Sequence, residues 1–227
     1  MKKWYFIILI FFLGFLGPGG GLVAPPSDSS KDFLLPDKYT DLEIEIIYEK
    51  LMPPNLDSVA CLVSTAKLYC HKTSIKVIRT EISVITSQNF PCAFYGNIWT
   101  SSILSSFTKI CRTKSTRDNI LVLHILYLPG YILEDVNAIG EAFADDAFVI
   151  FRWRVSNEWE SSVLVHEFGH IMGLVDPKSK HHDNQHKWHC ANKNCVMYWC
   201  IEEADPTITF DNSCKKLLYA RGAKQFY

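Results

Sequence analysis

Leu42, Ile44, Ile46 and Tyr48 alternate with Glu43, Glu45 and Glu49, a period of two that predicts a half-buried β-strand. Pro53-Pro54-Asn55 breaks the chain after it, and residues 56–68 predict a helix. A second β-rich run, residues 74–85, holds Ile75, Val77, Ile78, Ile82 and Val84. Residues 98–111 predict another helix. Ile120–Leu128 is apolar at nearly every position, which suits a strand covered on both faces. His124 lies within that run and reads as a satisfied core residue, not as a ligand. Pro129-Gly130 ends the strand, and Phe148–Trp153 predicts one more. Asn157, with Glu160 three residues on, resembles the N-cap and capping box of a following helix. The order β-α-β-α-β-β-α predicts an α/β fold with a mixed sheet.

The N-terminus adds a second layer. Lys2 and Lys3 precede an uncharged apolar run, and small residues surround Leu22-Val23-Ala24, so residues 1–24 read as a signal peptide. The same stretch is long enough to remain as an uncleaved N-terminal anchor. Residues 25–40, rich in Pro, Ser and Asp, read as a linker, leaving 41–227 as one folded domain. The expectation is a secreted or cell-surface protein. With 48% apolar and 21% charged residues the composition is globular. A net charge of −1 and no dense Lys/Arg block give no support to nucleic-acid binding, and leave membrane contact to the anchor alone. Eight cysteines beside an export signal favour disulfides, with Cys61–Cys70 and Cys92–Cys111 the pairs nearest in sequence.

The chemistry concentrates in His166-Glu167-Phe168-Gly169-His170. Histidines at i and i+4 on a helix project from one face, one turn apart, as two imidazoles must to bind a single Zn²⁺. Glu167 is rotated by about 100° from His166, so it addresses a water at the metal without ligating it. Leu164, Phe168, Ile171 and Val175 form an apolar stripe that anchors the opposite side. Gly173 is a natural residue to end the helix. The third ligand must come from beyond it, and three candidates stand there: His189, Asp176 and His186.

The run His166–Asp176 resembles the metzincin clan of zinc peptidases, whose pattern is H-E-x-x-H-x-x-G-x-x-H/D followed by a Met-turn. His189-Cys190-Ala191-Asn192-Lys193-Asn194-Cys195-Val196-Met197 looks like the H-C-x-x-x-x-C-x-M segment of archaemetzincins and related exported bacterial peptidases. The resemblance implies a metallopeptidase domain over 41–227 with a mixed sheet, an active-site helix and a small cysteine-containing C-terminal subdomain. It implies Met197 as the Met-turn methionine, Glu167 as the general base, Zn²⁺ as cofactor, and a protein or peptide substrate. It also implies an edge strand along the substrate cleft, which falls on Phe148–Trp153.

Two departures bear on the site. Asp176 occupies the place of the third histidine, and His189-Cys190 follows only after about a dozen inserted residues. The resemblance to archaemetzincins also implies a second, structural zinc held by the two cysteines of H-C-x-x-x-x-C and a later C-x-x-C; here that later pair reads Asp211-Asn212-Ser213-Cys214. Cys190, Cys195, Cys200 and Cys214 therefore form either a second zinc site or, as export favours, disulfides. Two rival functions remain: an exported, zinc-stabilised binding domain without turnover, and a disulfide scaffold without metal.

Overall fold

The computed structural model describes residues 29–82, 97–175, 179–201 and 206–224. Residues 1–24, where a signal peptide or anchor is expected, lie outside these described residues, as do Cys92 and Asp176. Among the described residues, no helix is long and apolar enough to cross a membrane.

Five strands form the main sheet: β1 (Asp41–Glu49), β2 (Ser74–Ile82), β4 (Ile120–Leu128), β6 (Gly140–Ala144) and β7 (Ala147–Phe151). Their order is β2-β1-β4-β7-β6, with the first four parallel and β6 antiparallel to β7. β3 (Ile98–Trp99) and β5 (Tyr131–Ile132) make a separate two-stranded parallel ribbon. The parallel neighbours require helical crossovers. α2 (Leu56–Tyr69) links β1 to β2, and α3 (Ser101–Cys111) precedes β4. The sheet is mixed, as the order of elements predicts.

One face of the sheet packs Ile44, Ile46, Leu123, Ile125 and Phe148 into the cluster that includes Val163, Leu164 and Phe168 of α4 (Asn157–Ile171). The other face packs Ile47, Leu126, Val149 and Phe151 with Trp99, Leu104 and Phe107. Fully burying a side chain such as Leu164 or Phe168 contributes about 1.5–3 kcal/mol, enough to hold α4 against the sheet.

β1 is buried on both faces, although its alternation predicts burial on one. Glu45 is fully buried, and its carboxylate lies 3.2 Å from His124 Nδ1 on the neighbouring strand. Thr80 and Thr113 hydroxyls and the Thr113 and Lys114 amides donate to it. Burial works to raise this carboxyl, and the Thr113 hydroxyl and the other donors outweigh it, so its pKa falls below the ordinary value. Glutamates here are interior residues because the chain supplies donors for them. His124 is the core residue its context predicts.

Four further differences concern element edges. The composition of residues 25–40 predicts a linker, yet Ser30–Leu34 forms a short helix, α1, with Phe33 and Leu34 buried. Phe33 meets Phe168 edge-on at 6.3 Å, and Lys72 Nζ donates to the carbonyls of Asp32, Leu35 and Tyr39. The N-cap of α4 is Ser156, whose hydroxyl accepts from the Trp159 amide, and not Asn157. Glu160 closes no capping box; its buried carboxylate accepts from Tyr127 Oη (2.7 Å) and the Asn55 amide (2.9 Å), which ties α4 to β4 and to the start of α2. Within 98–111, Ile98–Trp99 is strand, and the helix begins at Ser101 behind the Thr100 cap. Lastly, β7 lies between β4 and β6, so the predicted edge strand Phe148–Trp153 is interior up to Phe151 and a 3-10 turn beyond it. The edge is β6, whose glycine and alanines carry little strand propensity of their own.

Candidate metal centre

α4 delivers the histidine pair and then stops abruptly. Gly173 takes φ +75°, its amide donates to His170 O, and the Leu174 amide donates to Gly169 O. This pair of bonds is a Schellman closure, which a residue with a Cβ would strain. Leu164, Phe168, Ile171 and Val175 are all buried, as the apolar stripe predicts.

His166 Nδ1 lies 2.7 Å from the Val196 carbonyl, which fixes the ring and leaves Nε2 facing inward. His170 Nε2 is 3.1 Å from His166 Nε2. His189 closes the group, its ring centroid 5.2 Å from that of His166 and 5.4 Å from that of His170. One ligand atom from each of the three lies within 4.8 Å of the others. Nitrogen ligands about 2.0–2.1 Å from a tetrahedral zinc would stand about 3.3–3.4 Å apart, so these positions fit such an ion.

Electrostatics favour neutral, lone-pair-bearing rings. Burial lowers the His166 pKa. Burial and then the neighbouring His166 and His189 push His170 well down, and burial and then His166 push His189 down to about 3. Neutral imidazole is the form a metal requires.

Glu167 sits beside this group, 5% exposed. Burial raises its carboxyl well above the ordinary value, Glu141 on β6 adds to the rise, and the Ala142 amide opposes it. Gly140 makes the fit possible, because a Cβ there would stand 2.8 Å from Glu167 Oε1. The edge strand β6 therefore borders the candidate base.

Met197 is fully buried beneath the helix. A Cβ on Gly169 would meet Met197 Sδ at 2.3 Å and a Phe210 ring carbon at 3.2 Å. Gly169→Ala is expected to destabilise the protein by about 1–3 kcal/mol through overpacking, measured as a lower denaturant midpoint with an unchanged slope. An unchanged midpoint would mean that the methionine moves aside freely.

Val175 (φ +57°) and Trp188 (φ +71°) are left-handed. Residues 179–189 fold back onto the segment that follows them. His182 bridges Cys190 in antiparallel fashion, the Asp183 amide donates to His189 O at 2.7 Å, and the Ala191 amide donates to His181 O at 3.0 Å. His186 stacks on Trp199 with centroids 3.9 Å apart and lies 3.3 Å from Asp183, so it is engaged away from the triad.

The cysteine region differs from the disulfide expectation. No disulfide joins any two of the described cysteines, and the Cys195–Cys214 sulfurs are 3.7 Å apart. Cys61 lies in α2 and Cys70 is its C-cap, nine residues on; about 13 Å of helix rise keeps them apart. The proposed partner of Cys111, Cys92, lies outside the described residues. Cys190, Cys195 and Cys214 converge with Asp211, all within 4.8 Å, while Cys200 is not part of this group. The Asn192 and Asp211 amides donate to Cys190 and Cys195 sulfurs respectively, and hydrogen bonding from Cys190 and Cys214 holds the Cys195 thiol down to about 3. The same hydrogen bonding pushes the Cys190 and Cys214 thiols up; three converging sulfurs, one of them held as thiolate, suit zinc.

Three site residues escape a motif search: Gly140, Ala142 and Glu141. Only the register of β6 against β7 brings them near Glu167, and no local pattern in Gly140–Ala144 announces it.

No protein-family model matches the chain, and no curated protein matches it in sequence. Solved structures do. The parallel sheet with its antiparallel edge, the histidine-bearing helix and the cysteine-containing C-terminal region define a mixed α/β fold of the archaemetzincin-like class. An archaemetzincin from Methanopyrus kandleri superposes with a TM-score of 0.55 at 17% identity, over 80% of this chain and 96% of that one. Metalloproteinase-II from Bacteroides fragilis matches with a TM-score of 0.47 at 17% identity, over 91% of this chain and 57% of that one.

Proposed function

We propose that the protein is a zinc metallopeptidase that hydrolyses peptide bonds in a protein or peptide substrate. The observation that carries this reading is the convergence of three inward-facing imidazoles with a buried carboxylate beside them and no role for it in closing the group. A purely structural site is closed by four protein ligands, whereas a catalytic one keeps a position open. His166, His170 and His189 would hold the ion, and Met197 would floor the site.

Zinc bound there would supply Lewis-acid polarisation of a carbonyl and a lowered pKa for an attacking water. Glu167 accepts a proton from the attacking water and returns it to the leaving amine. Its raised pKa suits a group that both takes and gives a proton, and the charge of a bound cation would keep it ionised at rest. The Ala142 amide orients the carboxylate, and Gly140 leaves it the space to do so. The cysteine group is read as a second, structural zinc site. The N-terminal segment 1–24, as signal peptide or anchor, supports placement outside the cytoplasm, secreted or at the cell surface.

Stripping the protein with a chelator is expected to abolish cleavage of an unstructured protein substrate, and one equivalent of zinc per catalytic site to restore it. Cleavage that survives complete zinc removal would overturn the peptidase reading. A zinc-loaded protein with no hydrolysis of any substrate tested would favour the binding-domain alternative.

A further inference from the structure

The inserted loop places a fourth histidine where no part of the catalytic group uses it. His181 Nε2 lies 3.5 Å from Cys214 Sγ. Around a tetrahedral zinc with bonds of about 2.3 Å to sulfur and 2.0–2.1 Å to nitrogen, sulfur–nitrogen edges are about 3.5 Å and sulfur–sulfur edges about 3.8 Å. The Cys195–Cys214 separation of 3.7 Å fits the second of these, and the His181–Cys214 distance fits the first.

Asp211 competes for the same position, since its Oδ2 is 3.5 Å from Cys190 Sγ. Its carboxylate already has other work. Oδ1 accepts from the Cys214 amide at 2.7 Å as the N-cap of α5 (Asn212–Ala220), and Oδ2 accepts from Asn192 Nδ2 at 3.0 Å. Those bonds decide between the two. Asp211 stays beside the sulfurs with its charge in either case, but as a ligand it would turn Oδ2 from its Asn192 donor toward the ion, whereas His181 offers Nε2 directly to the group at Cys214 Sγ. Three sulfurs and one nitrogen are also an ordinary structural zinc set.

We propose that His181 is the fourth ligand of the cysteine-group metal, with Asp211 acting as helix cap and hydrogen-bond partner outside the coordination sphere. The metal then clips the inserted loop onto the cysteine segment. Ala191 N–H to His181 O and the His182–Cys190 bridge lock the same two strands of chain together. His189 immediately precedes Cys190, so the clip also holds the third histidine of the catalytic group in place.

The inference rests on the reading of a metal at the cysteines, and the test separates the two. Cadmium would replace zinc in the full-length, wild-type protein carrying isotope-labelled histidine nitrogen, and the cadmium NMR spectrum would be recorded. A thiolate-shifted cadmium resonance with scalar coupling to one imidazole nitrogen is expected, lost in His181→Ala and retained in Asp211→Asn. A thiolate-shifted resonance without imidazole coupling would overturn the His181 assignment while leaving the metal in place. Absence of any thiolate-shifted resonance would overturn the metal reading itself, and the inference with it. Competition with a zinc chelator gives a second readout. His181→Ala should weaken the cysteine site by more than about 100-fold, beyond the 10–100-fold range of an outer-shell change, and Asp211→Asn should stay within that range.

Discussion

Glu167→Gln is expected to lower kcat by about 10²–10⁴-fold, the contribution of a positioned general acid–base, while zinc content stays unchanged. Glutamine keeps the shape of the side chain and can still accept from the Ala142 amide, which bonds the carboxylate in the native protein. It cannot take a proton from the attacking water. Glu167 is not a member of the ligand group, so metal binding should survive. The variant should also fold at least as well as the parent, because it removes a buried carboxyl whose ionised form is disfavoured by burial. The measurements are kcat/KM on a generic protein substrate and metal content by elemental analysis. Activity near that of the wild type would transfer the role to another group, with Glu141, the buried carboxyl that acts on Glu167, the first to test.

His189→Ala is expected to empty the histidine centre. Two imidazoles on one helix hold zinc weakly, and the third closes the set; its loss should exceed the 10–100-fold range of an outer-shell change. Activity should fall in parallel, and zinc bound at the cysteine group should remain. His186→Ala should leave zinc binding at the histidine centre intact, because His186 is occupied by Trp199 and Asp183. Asp176→Ala provides the discriminating control. Retention of zinc in His189→Ala together with its loss in Asp176→Ala would make Asp176 the third ligand. Equilibrium dialysis against a competing chelator, with the fold monitored by circular dichroism, separates loss of a ligand from loss of the fold.

The helix with His166, Glu167 and His170 was readable from sequence because every part of it is local. The i,i+4 spacing sets which side chains share a face, and the bonds at Gly173 span five residues or fewer. Ile120–Leu128 was readable for a similar reason: an apolar run bounded by Pro129-Gly130 has few alternatives to a buried strand. The limits of pattern reading show at Glu43 and Glu45. Alternation marks them as solvent-facing, and only the donors of Thr80, Thr113 and Lys114, with Arg117 at 3.1 Å from Glu43, make their burial sustainable. The same limit hid Phe33 and Leu34, whose burial depends on Lys72 gathering three carbonyls from a segment more than thirty residues away.

The sequence by itself therefore determined the mixed α/β class, the face of α4 that carries His166 and His170, and the position of Glu167 beside them. Tertiary structure decided which strand forms the edge beside Glu167, which histidine joins the pair, and that Cys190, Cys195 and Cys214 gather with Asp211 instead of pairing as disulfides. The division follows from range. A helix face is set by bonds between residues a few positions apart, whereas His189 reaches the pair only after the inserted segment folds back on Cys190. Where such a loop closes depends on contacts it makes with the rest of the molecule, and no spacing along the chain records them.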